Sequence, residues 1–515
     1  MNYLKKLLLT TSLFISGFIY AQSPCVNGFA THTIGGVTTS YPCDDYDLMS
    51  RVPISTLATT LGTEEGSDIW GWTDALDGKE YAIVGTTNST AFVDISDPVN
   101  PIFLGRIETS NGNTSYWRDV KVYNDYAFIV ADGVGNHGMQ IFDLKNLRNG
   151  PNPDLTYTSA FNDGNVVVFY GDNGINIGSC HNVVINEDDA TAYLVGCNAA
   201  SGGPIFVDIS SPTSPTVAGS YSSKGYTHDA QVITYNGNDT NASNLPTVSS
   251  YVGRQILLAS NGGSNDKVVI LDVTDKSNPL FISEITYPNP GYAHQGWFTE
   301  DHRYFIFGDE TDEQSYGSNT RSFVFDMEDL DNPVLLSIYN GPTAAIDHNG
   351  YVDGNKFYLA NYRAGMRVVD ISTVGTPSNT MTEIGYFDTY PTSNSTAFNG
   401  AWSIYPYFDS GNIIVSDIER GLFVLRQTNT LNTTTFEKDK GFSLSPNPTN
   451  NIAKIKSNNN QPISSVKIYD VLGKLIFSKN NINATSFVLP ISDYNNGIYL
   501  VKINNTNSKK LVINK

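Results

Sequence analysis

The sequence predicts an all-β chain: a seven-bladed β-propeller closed by an N-terminal strand, followed by a small C-terminal β-sandwich. Three observations carry this. The segment Phe206–Pro215 (FVDISSPTSP) returns as Phe92–Pro101, Ile270–Pro279 and Phe325–Pro333, with looser copies at Ile141–Leu144 and Val368–Ser372. Its aspartates (Asp94, Asp143, Asp208, Asp272, Asp326 and Asp370) stand 44 to 65 residues apart, and self-similarity at such a period marks a repeat architecture. Within one repeat, His181–Ser223, four short runs rich in β-branched and aromatic residues are divided by Gly, Pro, Asn, Asp and Ser, which is the pattern of strands and turns. Four-stranded units that cannot bury their faces alone stack round an axis.

The first element is a targeting segment. Lys5 and Lys6 precede the apolar run Leu7–Ile19, and Ala21 is a small residue suited to cleavage. The run is too short to span a membrane, so residues 1–21 read as a secretory signal peptide. No small-residue lipidation box precedes Cys25, and no other stretch is long and apolar enough to be a transmembrane segment. Export favours disulfides among the four cysteines. Cys180 opens the first strand of blade three and Cys197 ends the second, which sets them opposite across a hairpin. Cys25–Cys43 is then the remaining pair, tying residues 22–46 into an N-terminal extension. Neither pair has the C-x-x-C spacing of a metal or redox site.

The propeller occupies residues 47–427. Its first strands begin near Trp70, Trp117, His181, His228, His294, His348 and Trp402. The seventh blade has only three strands on its C-terminal side, so Leu48–Leu57 is expected to supply the fourth and remove an exposed edge. Each repeat aspartate ends a third strand, where its carboxylate can accept from the backbone ahead, and the following prolines favour the turn. Two insertions stand out, Asn236–Ser250 in blade four and Thr311–Thr320 in blade five. A Thr- and Asn-rich linker covers 428–440. The last module, 441–515, opens on Ser445-Pro-Asn-Pro448 and closes through Gly497-Ile-Tyr-Leu-Val501, with segments that alternate as strands do. It resembles the type A C-terminal sorting domain of the type IX secretion system. The resemblance implies the secretion machinery as a partner, passage across the outer membrane, and a secreted or cell-surface product.

Composition excludes some functions. With 51 acidic against 31 basic residues the formal charge is −20, which disfavours nucleic acid and anionic membranes as partners. No nucleophile elbow, phosphate-binding glycine loop or zinc-protease helix motif is present.

The chemistry gathers at the starts of the first strands. Four of seven histidines (His181, His228, His294 and His348) open consecutive blades three to six, each followed by a polar residue. First strands line a propeller's channel, and loops joining second to third strands open on the same face. Candidate ligand-binding residues are therefore Trp70, Trp117, Arg118, Asp119, Asp309, Glu310, Arg363, Trp402 and Arg420. The four histidines are candidate ligands for a divalent transition metal, Zn, Mn or Fe, because imidazole is the commonest such side-chain ligand. A structural role, with histidines bonding neighbouring blades, is the competing reading. The acidic run Asp309–Glu313 lacks EF-hand spacing and is expected to be a solvated loop.

Asp68–Thr73, Trp117–Tyr123, Gly225–Gln231, His294–Trp297, Pro342–Asn349, Ala360–Gly365 and Phe398–Trp402 resemble the choice-of-anchor B family, and the Val-Asp-Ile-Ser segments resemble the LVIVD repeat. The family is named for its varied C-terminal surface anchors and implies no settled activity. The functional expectation is a binding or interaction module for an extracellular ligand at the histidine-rich mouth. The alternatives are a metal-dependent lyase or hydrolase acting on an extracellular polymer there, and an adhesion protein with an inert channel.

Overall fold

The structure, a computed structural model, describes residues 22–58, 64–149, 156–157, 166–263, 266–428, 442–450, 452–457, 462–470, 474–492, 494–504 and 507–515. The expected signal peptide and nearly all of the linker lie outside them. The chain divides into two compact units, residues 1–428 and 429–515.

Among the described residues the first unit holds seven antiparallel sheets, each built on four strands in meander order. The cleanest is Asn182–Asn186, Thr191–Val195, Ile205–Asp208 and Thr216–Ser220. These strands read as nearly continuous apolar runs because both faces of each sheet are buried. Tyr81 and Ile83 point into the core shared with the second sheet, whereas Ala82 and Val84 point into the core shared with the seventh. That is the two-residue alternation of a strand. Seven such cores lie between successive sheets, and the one holding Ile414, Val424, Ile69 and Val84 joins the seventh sheet to the first. The innermost strands neighbour one another in the same cyclic order. The sheets therefore form a closed ring, with no sheet face left to solvent at a break.

Closure is made by the N-terminal strand. The strand expected over Leu48–Leu57 runs instead over Tyr46–Val52, pairs antiparallel with Gly421–Gln427 and completes the seventh sheet, while Ile54–Leu57 form a helical turn after Pro53. Leu48 lies fully buried there. The preceding residues form a hairpin, Phe29–Ile34 with Val37–Asp44, that lengthens the sixth sheet through Cys43 opposite Phe387. Both disulfides are as expected, Cys25–Cys43 and Cys180–Cys197. The repeat aspartates do what turn chemistry requires. Asp94, Asp143, Asp208, Asp272, Asp326 and Asp370 each accept through Oδ1 from the backbone N–H two residues on, at 2.8–3.0 Å.

The second unit is a two-sheet sandwich. A three-stranded sheet (Phe442–Ser445, Ala453–Ser457, Ser486–Leu489) and a four-stranded one (Leu475–Ala484, Ile463–Tyr469, Gly497–Ile503, Asn507–Ile513) enclose one core that includes Ile455, Ile468, Val501 and Leu511. No helix of the described residues is long and apolar enough to cross a membrane.

Candidate functional site

The channel is organised in two levels by the sequence of its first strands. The four histidines form the upper level. Their rings stand side by side, with centroids 4.1 Å apart for His181–His228, 4.4 Å for His228–His294 and 4.3 Å for His294–His348. Trp117 closes one end of the row, 6.4 Å from His181, and Trp402 closes the other, 4.9 Å from His348. These six residues, together with Asp68, Arg118, Asn182 and Asn349, line one cavity of about 10 Å³, room for about one water or one ion.

Hydrogen bonds hold the two ends of the row. The His348 Nδ1–H donates to the Trp402 carbonyl, so Nε2 keeps its lone pair. His181 Nδ1 lies 3.0 Å from Asp132 Oδ2. His228 and His294 are 5% and 2% exposed, yet Nδ1 of each has no partner. Glu310 approaches from the loop after the second strand of blade five. Its Oε2 lies 3.9 Å from His294 Nε2 and its Oε1 lies 3.6 Å from His348 Nε2. The buried Tyr362 hydroxyl donates to Glu310 Oε1 at 2.8 Å, which orients the carboxylate. Tyr362 reaches it from a backbone at φ +26°, a conformation rare outside glycine. Donor atoms of His294, Glu310 and His348 all lie within 4.8 Å of one another.

Burial and neighbouring imidazoles push His228 and His294 well below the ordinary histidine range, and burial takes His348 to about 3. The rings are thus neutral at physiological pH, the form that binds metals. Burial also raises Glu310 to about 7. Arg118, 2% exposed, donates to the Thr86 carbonyl and to His137 Nε2 and leaves Nη2 without a partner.

The polar residues one position along the first strands form the lower level, and most of them clasp the next blade. Asp119 accepts from the Val183 N–H, Asn182 donates to the His228 carbonyl, Gln295 accepts from the Gly350 N–H, and Asn349 donates to Ser403 Oγ and Asp68 Oδ2. Blade-to-blade bonding is thus shared between these residues and the histidines, His181 reaching Asp132 of blade two and His348 the Trp402 carbonyl of blade seven.

Six expected site residues do not line the cavity; Glu310 stands beside it against His294 and His348, and the other five lie elsewhere. Blade one's first strand starts at Gly66, so Trp70 sits four residues deeper, at about 3.3 Å per residue. There it packs on Tyr405 and under the Lys121 ammonium, in a second cavity of about 50 Å³. Asp119 belongs to the clasping level, bound to Lys121 Nζ at 2.6 Å. Asp309 is consumed by its own loop, accepting from Tyr287 Oη and from the N–H groups of Gly291, Tyr292 and Thr311. Arg363 binds Asn399 and Ser395 and, with Arg420, stacks on Tyr390. The acidic run is not solvated: Asp309 and Asp312 are fully buried and Glu313 is 2% exposed. A helical turn, Asp312–Tyr316, folds it inward.

Sequence reasoning did not assign Tyr362 a role. Its neighbour Arg363 is the candidate the loop offers, and nothing in the repeat pattern says which of its side chains turns inward.

The closed ring of sheets defines a class, that of β-propellers. Comparison with known proteins is specific for two parts of the chain. Residues 443–514 match the secretion system C-terminal sorting domain, and residues 76–109 and 199–223 match the LVIVD repeat. The tail marks the chain for type IX export to the cell surface or the medium, and two disulfides fit that location. No curated protein matches. Among solved structures, a protein from Lactobacillus plantarum is 12% identical, covering 82% of this chain and 99% of its own, with a TM-score of 0.39. A hypothetical selenium-binding protein from Sulfolobus tokodaii is 11% identical, covering 62% and 80%, at 0.41. U3-55K is 6% identical, covering 71% and 96%, at 0.44. Likenesses at that level carry no argument, and the fold rests on the sheets themselves.

Proposed function

We propose that this exported propeller is a binding module whose channel mouth holds a divalent transition metal, zinc first, between His294, Glu310 and His348. The observation that carries it is the mutual approach of these three donors within 4.8 Å. Two imidazoles and a carboxylate suit Zn, Mn or Fe and leave coordination positions open. The His348 ring is oriented through its other nitrogen by a backbone carbonyl, the outer-shell contact that metal-bound histidines use. The cavity admits an ion and not a sugar ring, so a larger ligand would lie across the rim. There Tyr116, Trp117 and Phe398 are 52%, 46% and 46% exposed. The ligand would offer one oxygen donor to the metal and a flat face to Trp117. The motif resemblance to choice-of-anchor B proteins agrees with a surface role and adds no activity.

The test is elemental mass spectrometry of the purified protein after zinc loading and desalting. About one equivalent of zinc in the wild type, lost in His294→Ala, is the expected result. No retained transition metal in a folded wild type would leave the imidazole row a packing feature. The metal-dependent lyase reading keeps a place through the open coordination positions alone. Turnover of anionic polysaccharides by the zinc-loaded protein, absent from His294→Ala, would establish it.

A further inference from the structure

We infer that the fifth blade carries a second, separate cation site, a buried calcium site formed by Asp312, Glu313 and Asp347. The three side chains are 0%, 2% and 1% exposed, and they place one oxygen each within 4.8 Å of the others. Opposite oxygens around calcium stand about 4.8 Å apart, twice a typical Ca–O distance of about 2.4 Å.

Charge balance is the first argument. The guanidinium of Arg321, bound to Asp312 Oδ2 at 2.7 Å through Nε, is the cation paired with the cluster among the described residues. With all three carboxylates ionised, the one guanidinium leaves two negative charges uncompensated in the interior, where an unpaired ion is costly. A divalent ion closes that balance.

Unmet oxygens are the second argument. Asp347, brought in from the segment before the sixth blade, aims a fully buried carboxylate at the other two, and neither of its oxygens has a donor outside the trio. It packs against Gly308, where a Cβ would come within 2.4 Å of Oδ2. Both oxygens of Glu313 and Oδ1 of Asp312 are unpartnered as well. Five carboxylate oxygens in one place that find no donor outside the trio call for a ligand. Another acidic trio, Asp239, Asp329 and Asp331, shows the contrast. Its carboxylates accept from the N–H groups of Asn241, Leu330, Asp331, Ser243 and Asn244 and from Tyr251 Oη. That trio needs no cation, whereas the Asp312 trio is met from outside chiefly by the Arg321 guanidinium at Asp312 Oδ2.

Hard oxygen donors select Ca²⁺ over softer metals. Five carboxylate oxygens suit its six to eight ligands better than magnesium, which keeps several waters. Extracellular modules work at millimolar calcium, and the sorting tail puts this chain outside the cell. Asp347 precedes His348 and Asp312 follows Glu310 by two residues, so the ion would pin both segments that reach the channel mouth. The inference stands without the transition metal.

The experiment is calorimetric titration of the chelator-treated full-length protein with CaCl₂ at pH 7.4, paired with melting curves in 2 mM Ca²⁺ and in EGTA. One equivalent of calcium should bind and raise the melting temperature by several degrees. Asp347→Asn should weaken binding at least tenfold, with Glu313→Gln as the second variant if it folds poorly. His294→Ala should bind calcium like the wild type, which separates this site from the imidazole site. A folded wild type that takes up no calcium to 10 mM would overturn the inference and assign the cluster shared protons. Saturation by Mg²⁺ in preference to Ca²⁺ would overturn the calcium assignment. Unchanged calcium binding in folded Asp347→Asn and Glu313→Gln would place the ion elsewhere.

Discussion

Tyr362→Phe isolates one atom of the proposed transition-metal site. The phenol oxygen is the donor to Glu310 Oε1, and the tyrosine is buried to 1% exposure against His348 and Trp402. The substitution keeps the ring and its packing, so the ring row should persist. What it removes is one hydrogen bond to a carboxylate, about 1.5–3 kcal/mol when the acceptor is charged. Glu310 then loses the restraint that turns Oε2 toward His294, and it must be ordered by the metal itself. Losing a hydrogen bond that orients a metal ligand costs roughly 10- to 100-fold in metal affinity, which agrees with that bond energy at about 1.4 kcal/mol per tenfold. The assay is competition for zinc against a chromogenic chelator at pH 7.4, with wild type and His294→Ala as the two limits. Tyr362→Phe should fall between them. If it binds zinc within twofold of wild type while melting normally, Glu310 is not a ligand and the site must be drawn from the imidazoles alone.

Other predictions follow from the fold. Leu48→Ala removes a fully buried side chain from the closing strand and should cost about 2–5 kcal/mol, a fall of roughly 3–6 °C for a unit of this size. Val37→Ala, at a residue 68% exposed, should leave the melting temperature unchanged, and equal shifts would deny the strand its closing role. Asp74 is held below the ordinary aspartate range chiefly by the Arg148 fork, which donates to both of its oxygens. A depressed carboxylate stabilises the fold above its unfolded pKa and loses that contribution as pH falls through the folded value. Wild type should therefore lose stability below about pH 4; Asp74→Asn should start lower at pH 7 and lose less on acidification, and parallel melting curves from pH 7 to 2.5 would refute this. Deleting residues 443–514 removes the sorting domain and should leave the chain in the periplasm, seen by immunoblot of cell fractions. Undiminished protein in the medium would refute that role for the tail.

Much of this molecule was readable because its signals are local or periodic. A turn aspartate needs only the next two residues, so all six repeat aspartates perform as their sequence implies. A strand short of a partner predicts its partner, and Tyr46–Val52 fills the gap. Cys180 and Cys197 flank one hairpin, so strand register alone pairs them. The common offset of four histidines placed them in one row. Depth and direction within the channel were another matter. Bulges shift the first strands of blades one, five and seven, between Gly66 and Ile69, Ala293 and Gln295, and Ala401 and Ser403, and each shift changes which side chain faces the axis. Trp70 therefore lies below the cavity it was expected to line. Asp309 and Glu310 are neighbours with opposite fates, one spent on backbone N–H groups and the other turned to the imidazoles. Asp312 and Asp347 belong to different blades, and only the ring's packing sets their carboxylates together in the interior. Composition and period thus determined the architecture and the address of this protein, whereas its charge placement required the tertiary structure, because a carboxylate's chemistry depends on what surrounds it and not on its neighbours in the chain.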